Sequence, residues 1–317
     1  MGAPVVGFRG GRGVVGEDRP LGLSMAAAWN LWPAVDLMIG IGTRLEIPFM
    51  RWGSMMRCER SIAGRRLIRI DIDPAEMDRL DTDGPLAGDA AVTVGALLSA
   101  LDAAGHPPQG DRAAIADAKA KAARDIRSVQ PQMAYLDVIR DVLPRDGFLV
   151  EELSQMGFTS NFGYPVYEPR TYVSCGYQGT LGFGFPTALG VKVAHPDKPV
   201  VSITGDGGFL FAMPELATAV QYGIDLVTIV FDNGCYGNVR RDQETRFAGH
   251  VIGADLVNPD FVKLAESFGI RAWRVDTPDG LRPALEAALA LGAPALIQVQ
   301  VPRGTEVSPW SFIHPAS

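Results

Sequence analysis

The chain has 317 residues, of which 47% are hydrophobic and 21% charged, and it carries a formal net charge of −7. It is long enough for two domains, and the negative charge excludes a general nucleic-acid binder, since no basic cluster is dense enough to overturn it. Cys58, Cys175 and Cys235 form no CxxC pair, which excludes a disulfide framework or zinc ribbon and fits a reducing cytoplasm. No apolar stretch approaches the roughly 18 residues that span a bilayer, and the opening residues carry neither a leader nor, with Val6 at the deciding position, a myristoylation signal.

From residue 3 to about 101, short β-branched runs alternate with helical stretches, the pattern of a parallel α/β sheet. PVVGF, DLMIGIG and RLIRIDID are its clearest strands, and RGGRG after the first reads as a strand-to-helix loop rather than an RNA-binding tract. Residues 106–130 open with HPPQGD and turn Ala-, Lys- and Asp-rich without a broad apolar face, which predicts a partly helical connector. A second α/β unit is expected over 131–317. Its strands are GFLVEE, PVVSIT, LVTIVF, RAWRV and ALIQVQV, and its helices lie near 181–195, 213–223, 259–268 and 279–291.

The chemistry concentrates in ITGDGGF, residues 203–209. A carboxylate at the end of a buried strand loses several kcal/mol of solvation unless something pairs with it. The following AMPELATAVQYG suits a helix packed on a sheet by Leu216 and Val220, and the next strand, LVTIVF, runs into DNGCYG. Because a right-handed crossover places consecutive parallel strands near one another, Asp206 and Asn233, 27 positions apart, should emerge at one sheet edge. A carboxylate and an amide oxygen are hard ligands suited to magnesium or calcium, and magnesium in particular takes few protein ligands and completes its octahedron with phosphate and water. Gly207 and Gly208 would let backbone N–H groups approach a phosphate at a helix N-terminus.

At this point the residues resemble the thiamine-diphosphate-dependent enzymes of the acetolactate synthase and pyruvate decarboxylase superfamily. Their diphosphate motif is GDG, a spacer of about this length and an Asn pair, here Asp232-Asn233, with Asp232 departing from the usual Asn. The resemblance implies Asp206, Asn233 and the Cys235 carbonyl as magnesium ligands, and Tyr236 and Gly237 as diphosphate contacts. Residues 175–189, CGYQGTLGFGFPTAL, resemble the family's GxxGTMGxGxPAAxG segment. There the carbonyl matching Gly179 accepts a hydrogen bond from the aminopyrimidine, and the residue matching Leu181 wedges the cofactor into its bent shape. Ser154 and Gln155 occupy positions that touch the diphosphate in relatives.

AVDLMIGIGTRL and RLIRIDIDPAEMDRL resemble the family's middle domain, so the likeness covers nearly the whole chain: residues 1–105 as a partial middle domain and 131–317 as the diphosphate- and magnesium-binding domain. It implies two three-layer α/β/α domains with mainly parallel sheets, the first N-terminally incomplete, and a decarboxylase or carboligase acting on a 2-oxo acid. The family's pyrimidine-binding domain and its glutamate have no counterpart here, and Met1 reads as an internal start. Little turnover is therefore expected from this chain alone, and homo-oligomerisation or pairing with a pyrimidine-domain chain is expected, with no nucleic-acid or membrane partner. Absent that domain, a non-catalytic or split-enzyme subunit is the alternative. GTRLEIPFMRWG departs from the phrase of true acetolactate synthases. Glu151 and Glu152 read as a structural pair at a strand end, His195 as a helix C-terminal residue, and Cys235 as a carbonyl rather than a thiol. His250 could reach a substrate from its loop. Trp310, Phe312 and His314 belong to a tail that in relatives can fold over the active site, with a plain surface tail as the alternative.

Overall fold

The computed structural model describes residues 2–52, 60, 64–105, 110–176 and 178–315. Cys58, residues 106–109 of the connector and Tyr177 of the 175–189 segment lie outside them.

The first unit opens with β1 (Val5–Val6) paired in parallel with β2 (Gly22–Leu23). Helix α1 (Met25–Leu31) follows, capped by Ser24, whose hydroxyl accepts the Ala27 N–H at 3.3 Å. Strands β3 (Leu37–Ile41), β4 (Arg66–Asp71) and β5 (Gly84–Ala87) then form a parallel sheet in sequence order, with α2 (Ala90–Ala103) packed against β4. The stretch expected as a connector carries α3 (Arg112–Asp125), which buries Ile115, Ala118 and Ala122 against α1. Across this contact Asn30 of α1 donates its Nδ2 to the Ala118 carbonyl at 3.1 Å.

The second unit runs α4 (Gln132–Val142), β6 (Phe148–Glu151), α5 (Gln155–Gly163), β7 (Tyr172–Val173), α6 (Gly184–Ala194), β8 (Val200–Gly205), α7 (Asp206–Ala212), α8 (Leu216–Gln221) and β9 (Val227–Asp232). It continues with α9 (Gly237–Arg246), α10 (Phe261–Ser267), β10 (Arg271–Val275), α11 (Pro278–Leu289), β11 (Ala295–Gln300) and α12 (Trp310–Ile313). Its sheet has the order β10-β11-β9-β8-β6-β7, with every pair parallel. All five expected strands form. The edge strand β7 was not expected, since two residues are too few to show a period.

Alternation along the central strands sends side chains to two cores. Leu149, Val201, Ile203, Ile229 and Ile297 join the layer with α4 and α11, whereas Val150, Val200, Val230 and Leu296 face the layer with α6 and α7. The helix expected over 213–223 is divided: α7 already begins at Asp206, a 3-10 turn follows at Met213–Glu215, and only then does α8 start. Within α8, Leu216 and Ala219 are buried but Val220 faces solvent, a correction to its assigned packing role.

The two units are riveted by Arg12, which lies in the RGGRG loop and is 3% exposed. Its guanidinium donates to the Ser160 carbonyl at 2.9 Å, to the Tyr164 carbonyl and to Glu17, and lies over the Tyr172 ring.

Candidate functional site

From β6 the chain goes to β7 on one side and then returns to β8 on the other, so the strand order reverses between β6 and β8. A crevice outside the carboxyl ends of the strands at such a reversal is where open α/β sheets bind ligands. Three adjacent strands deliver helix starts there: β6 leads to α5, β8 to α7 and β9 to α9. Ser154 caps α5 by accepting the Gly157 N–H at 3.0 Å.

The register pairs Gly205 with Phe231, so Asp206 and Asp232 leave the sheet side by side. Asp206 is 3% exposed. Its Oδ1 accepts the Gly207 N–H at 2.9 Å, and its Oδ2 accepts the Gly234 N–H at 2.8 Å and Asn258 Nδ2 at 2.7 Å. Asn258 Nδ2 also donates to Asp232 Oδ1 at 2.7 Å, while Asp232 Oδ2 accepts from Gln298 Nε2 at 2.8 Å. The departure at Asp232 thus keeps a full set of supporting bonds, drawn from amide donors. Burial pushes the Asp206 carboxyl up to about 6; the Asn258 and Gly207 bonds pull against this, and the Asp232 charge adds to it.

The backbone amide just after Asn233 therefore bonds to Asp206, which brings the two expected ligands into one loop cluster. The turn depends on Gly234 at φ +69°, a left-handed conformation open to glycine. Asn233 Oδ1 accepts the Cys235 N–H at 3.1 Å, and Asn233 Nδ2 donates to Glu306 Oε2 at 2.6 Å. Burial pushes the Cys235 thiol up to about 11, unfavourable for a nucleophile and consistent with a backbone role.

The glycines are set by close packing. A Cβ on Gly207 would overlap the Tyr236 ring, and one on Gly208 would stand 2.5 Å from the Glu152 carboxylate. A Cβ on Gly237 would lie 3.1 Å from Asn233 Nδ2 and 3.5 Å from Gln155 Nε2, so Gln155, Asn233, Tyr236 and Gly237 share the crevice. Arg241 Nη1 donates to Gln155 Oε1 at 3.3 Å.

Glu152, fully buried, accepts the Gly182 N–H and the Thr204 hydroxyl, the latter at 2.7 Å, and so ties the 175–189 loop to the tip of β8. Gly179 and Leu181 lie on that loop, Gly179 being packed over Leu153. Leu153, Cys175 and Gly179, with Phe8, Arg9 and Arg51 of the first unit, line a cavity of about 200 Å³. His195 ends α6 stacked on Phe148, and His250 is exposed. His314 is buried against Trp310 and Arg51, and Phe312 stacks on Phe162, so the tail packs along α5.

Two residues that bond to the cluster were not found from sequence, Asn258 and Glu306. Both reach the cluster on loops whose course follows from the sheet order.

Comparison with known proteins decides the family. Residues 1–97 match the thiamine pyrophosphate enzyme central domain, and residues 154–299 match the thiamine pyrophosphate enzyme C-terminal TPP binding domain. The chain belongs to the thiamine pyrophosphate enzymes. It is 31% identical to a probable acetolactate synthase large subunit of Methanococcus aeolicus, over 94% of this chain and 53% of that protein. It is equally 31% identical to a probable 2-ketoarginine decarboxylase of Pseudomonas aeruginosa, over 95% of this chain and 54% of the relative. Among solved structures, a thiamine diphosphate-dependent 4-hydroxybenzoylformate decarboxylase of Rhodococcus jostii RHA1 superposes with a TM-score of 0.72 at 25% identity, covering 95% of this chain and 56% of that one. The chain spans about half the length of the relatives it matches.

The cluster's chemistry fits the family's cofactor. Among the described residues, the buried Asp206 and the half-buried Asp232 share only uncharged donors, and the Asn258 Oδ1 beside them is buried without a hydrogen-bond partner. Such a site offers hard oxygens and an unbalanced negative charge, which is what a divalent cation bridging to a diphosphate neutralises.

Proposed function

We propose that this chain binds thiamine diphosphate through a magnesium ion held by Asp206, Asn233 and the Cys235 carbonyl, as the middle and diphosphate-binding parts of a 2-oxo acid decarboxylase or carboligase of acetolactate synthase type. The observation that carries the reading is the pairing of Asp206 with the loop of Asn233 across the tips of β8 and β9, with no charged donor to Asp206 or Asp232 among the described residues. Ser154, Gln155, Gly207, Gly208, Tyr236 and Gly237 would receive the diphosphate, while Gly179 and Leu181 would set the cofactor's bend. When bound, the cofactor supplies an electron sink for the carbanion left by decarboxylation. The chain's own part is to anchor and orient it, with Glu152 holding the Gly179 loop in place.

Turnover would require the pyrimidine-binding half-site, so the isolated chain is expected to be inactive and to work as an oligomer or with a pyrimidine-domain chain. The exposure of Phe211, Val239, Phe247, Ile252 and Val257, on the segments that follow Asp206 and Asn233, supports a covering partner. No helix among the described residues is long and apolar enough to cross a membrane, and a cytoplasmic setting fits the cysteine usage. Isothermal titration with thiamine diphosphate and magnesium tests the reading: heat of binding in the wild type, lost in Asp206→Ala, supports it, and absence of heat at any ligand concentration defeats it.

A further inference from the structure

Only one end of the Asn233 amide can ligate a cation, and the structure shows what chooses that end. The nitrogen donates to Glu306 Oε2 at 2.6 Å, while the oxygen accepts the Cys235 N–H at 3.1 Å and lies 3.3 Å from Cys235 Sγ. A carboxylate accepts and cannot donate, so an amide flipped end for end would set its oxygen against the Glu306 oxygen and its NH2 against the Cys235 N–H. We infer that Glu306 is a positioning residue: from the C-terminal tail it locks the Asn233 amide with its oxygen turned away from the tail and available to the cation.

The placement of Glu306 is itself fixed on both sides. Thr305 closes a turn onto the Pro302 carbonyl, with its hydroxyl at 2.7 Å and its N–H at 3.2 Å. Val307 donates its N–H to the Gln130 carbonyl at 3.0 Å and accepts Gln132 Nε2 at 2.7 Å. Glu306 is thus held between two anchored neighbours, and the register that pairs Gln300 with Asp232 brings the tail out beside Asn233. Outer partners of this kind orient metal ligands, and losing one weakens metal affinity about 10- to 100-fold.

The inference rests on the cofactor reading above. It is tested by titrating the full 317-residue chain with Mn²⁺ in the presence of thiamine diphosphate, following free Mn²⁺ by electron paramagnetic resonance. Glu306→Gln keeps an acceptor oxygen at the same reach and should hold Mn²⁺ within about threefold of wild type. Glu306→Ala should bind about 10- to 100-fold more weakly with its melting temperature little changed. Wild-type affinity in Glu306→Ala, or a loss in Glu306→Gln as large as in Glu306→Ala, overturns the inference and leaves the cofactor reading standing. No Mn²⁺ binding by the wild type overturns both.

Discussion

Both sheets end strands in acidic residues, but they treat the charge in opposite ways. In the first unit Arg69, fully buried on β4, ion-pairs with Glu76 at 3.2 Å and Asp71 at 3.8 Å and donates to the Thr43 carbonyl at 2.9 Å. Burial alone would raise the Glu76 carboxyl, yet hydrogen bonds from Arg79 and Arg69 outweigh it and hold Glu76 below its ordinary value. In the second unit the donors to Asp206 and Asp232 are backbone N–H groups and side-chain amides, and Asp206 is pushed up to about 6. One carboxylate set carries its own countercharge and is structural. The other has only uncharged donors among the described residues, which is the arrangement the proposed cation would neutralise.

The sharpest way to break this contrast is to remove one member of each set. Asp206→Ala should weaken thiamine diphosphate and magnesium binding a thousandfold or more in titration calorimetry, about 4 kcal/mol. Arg69→Met should leave that affinity unchanged while lowering folding stability by about 2 kcal/mol in urea unfolding, because it removes the partner of Glu76 and Asp71 and leaves the Thr43 and Glu76 carbonyls without its donors. If the two variants exchanged phenotypes, the contrast would be wrong.

A third carboxylate sharpens the comparison through pH. Burial pushes Glu151 up to about 7 from an ordinary 4.5, against the opposing Cys175 N–H bond. The folded chain then keeps this proton where the unfolded chain has lost it, so stability is fully present below about pH 4.5 and falls as pH rises through about 7. Glu151→Gln should match wild type near pH 4.5 and exceed it by up to about 3 kcal/mol at pH 8, read from urea unfolding at the two pH values. The smallest expected effect is at Cys235. Cys235→Ala keeps the carbonyl and should change cofactor affinity less than about twofold, whereas a large loss would give the thiol a role it is not assigned.

What could be read from sequence follows from what is local. Asp206 and Asn233 were legible because a strand, a helix and a strand with one handedness put both tips at one edge before any packing is known. The Leu149, Ile203 and Ile229 strands were legible as apolar runs of the length a doubly covered sheet needs. Glu306 and Asn258 were not, because each depends on a non-local fact. The tail meets Asn233 only because β11 inserts beside β9, and nothing in ALIQVQV states which strand it will pair with. Val220 was misassigned because the buried stripe of α8 runs through Leu216 and Ala219, an i, i+3 pair, rather than through Leu216 and Val220 at i, i+4. The packing of α3 was hidden for another reason: its buried residues are mostly alanines, which barely register in an apolar pattern.

The most direct measurement is anomalous X-ray diffraction from crystals of this chain grown with Mn²⁺ and thiamine diphosphate. A single strong manganese peak bonded to the Asp206 carboxylate and the Asn233 side-chain oxygen, between the tips of β8 and β9, is the predicted result. A peak elsewhere, for instance against Asp71 and Glu76, or a bound cofactor with no metal between those two strands, would contradict it.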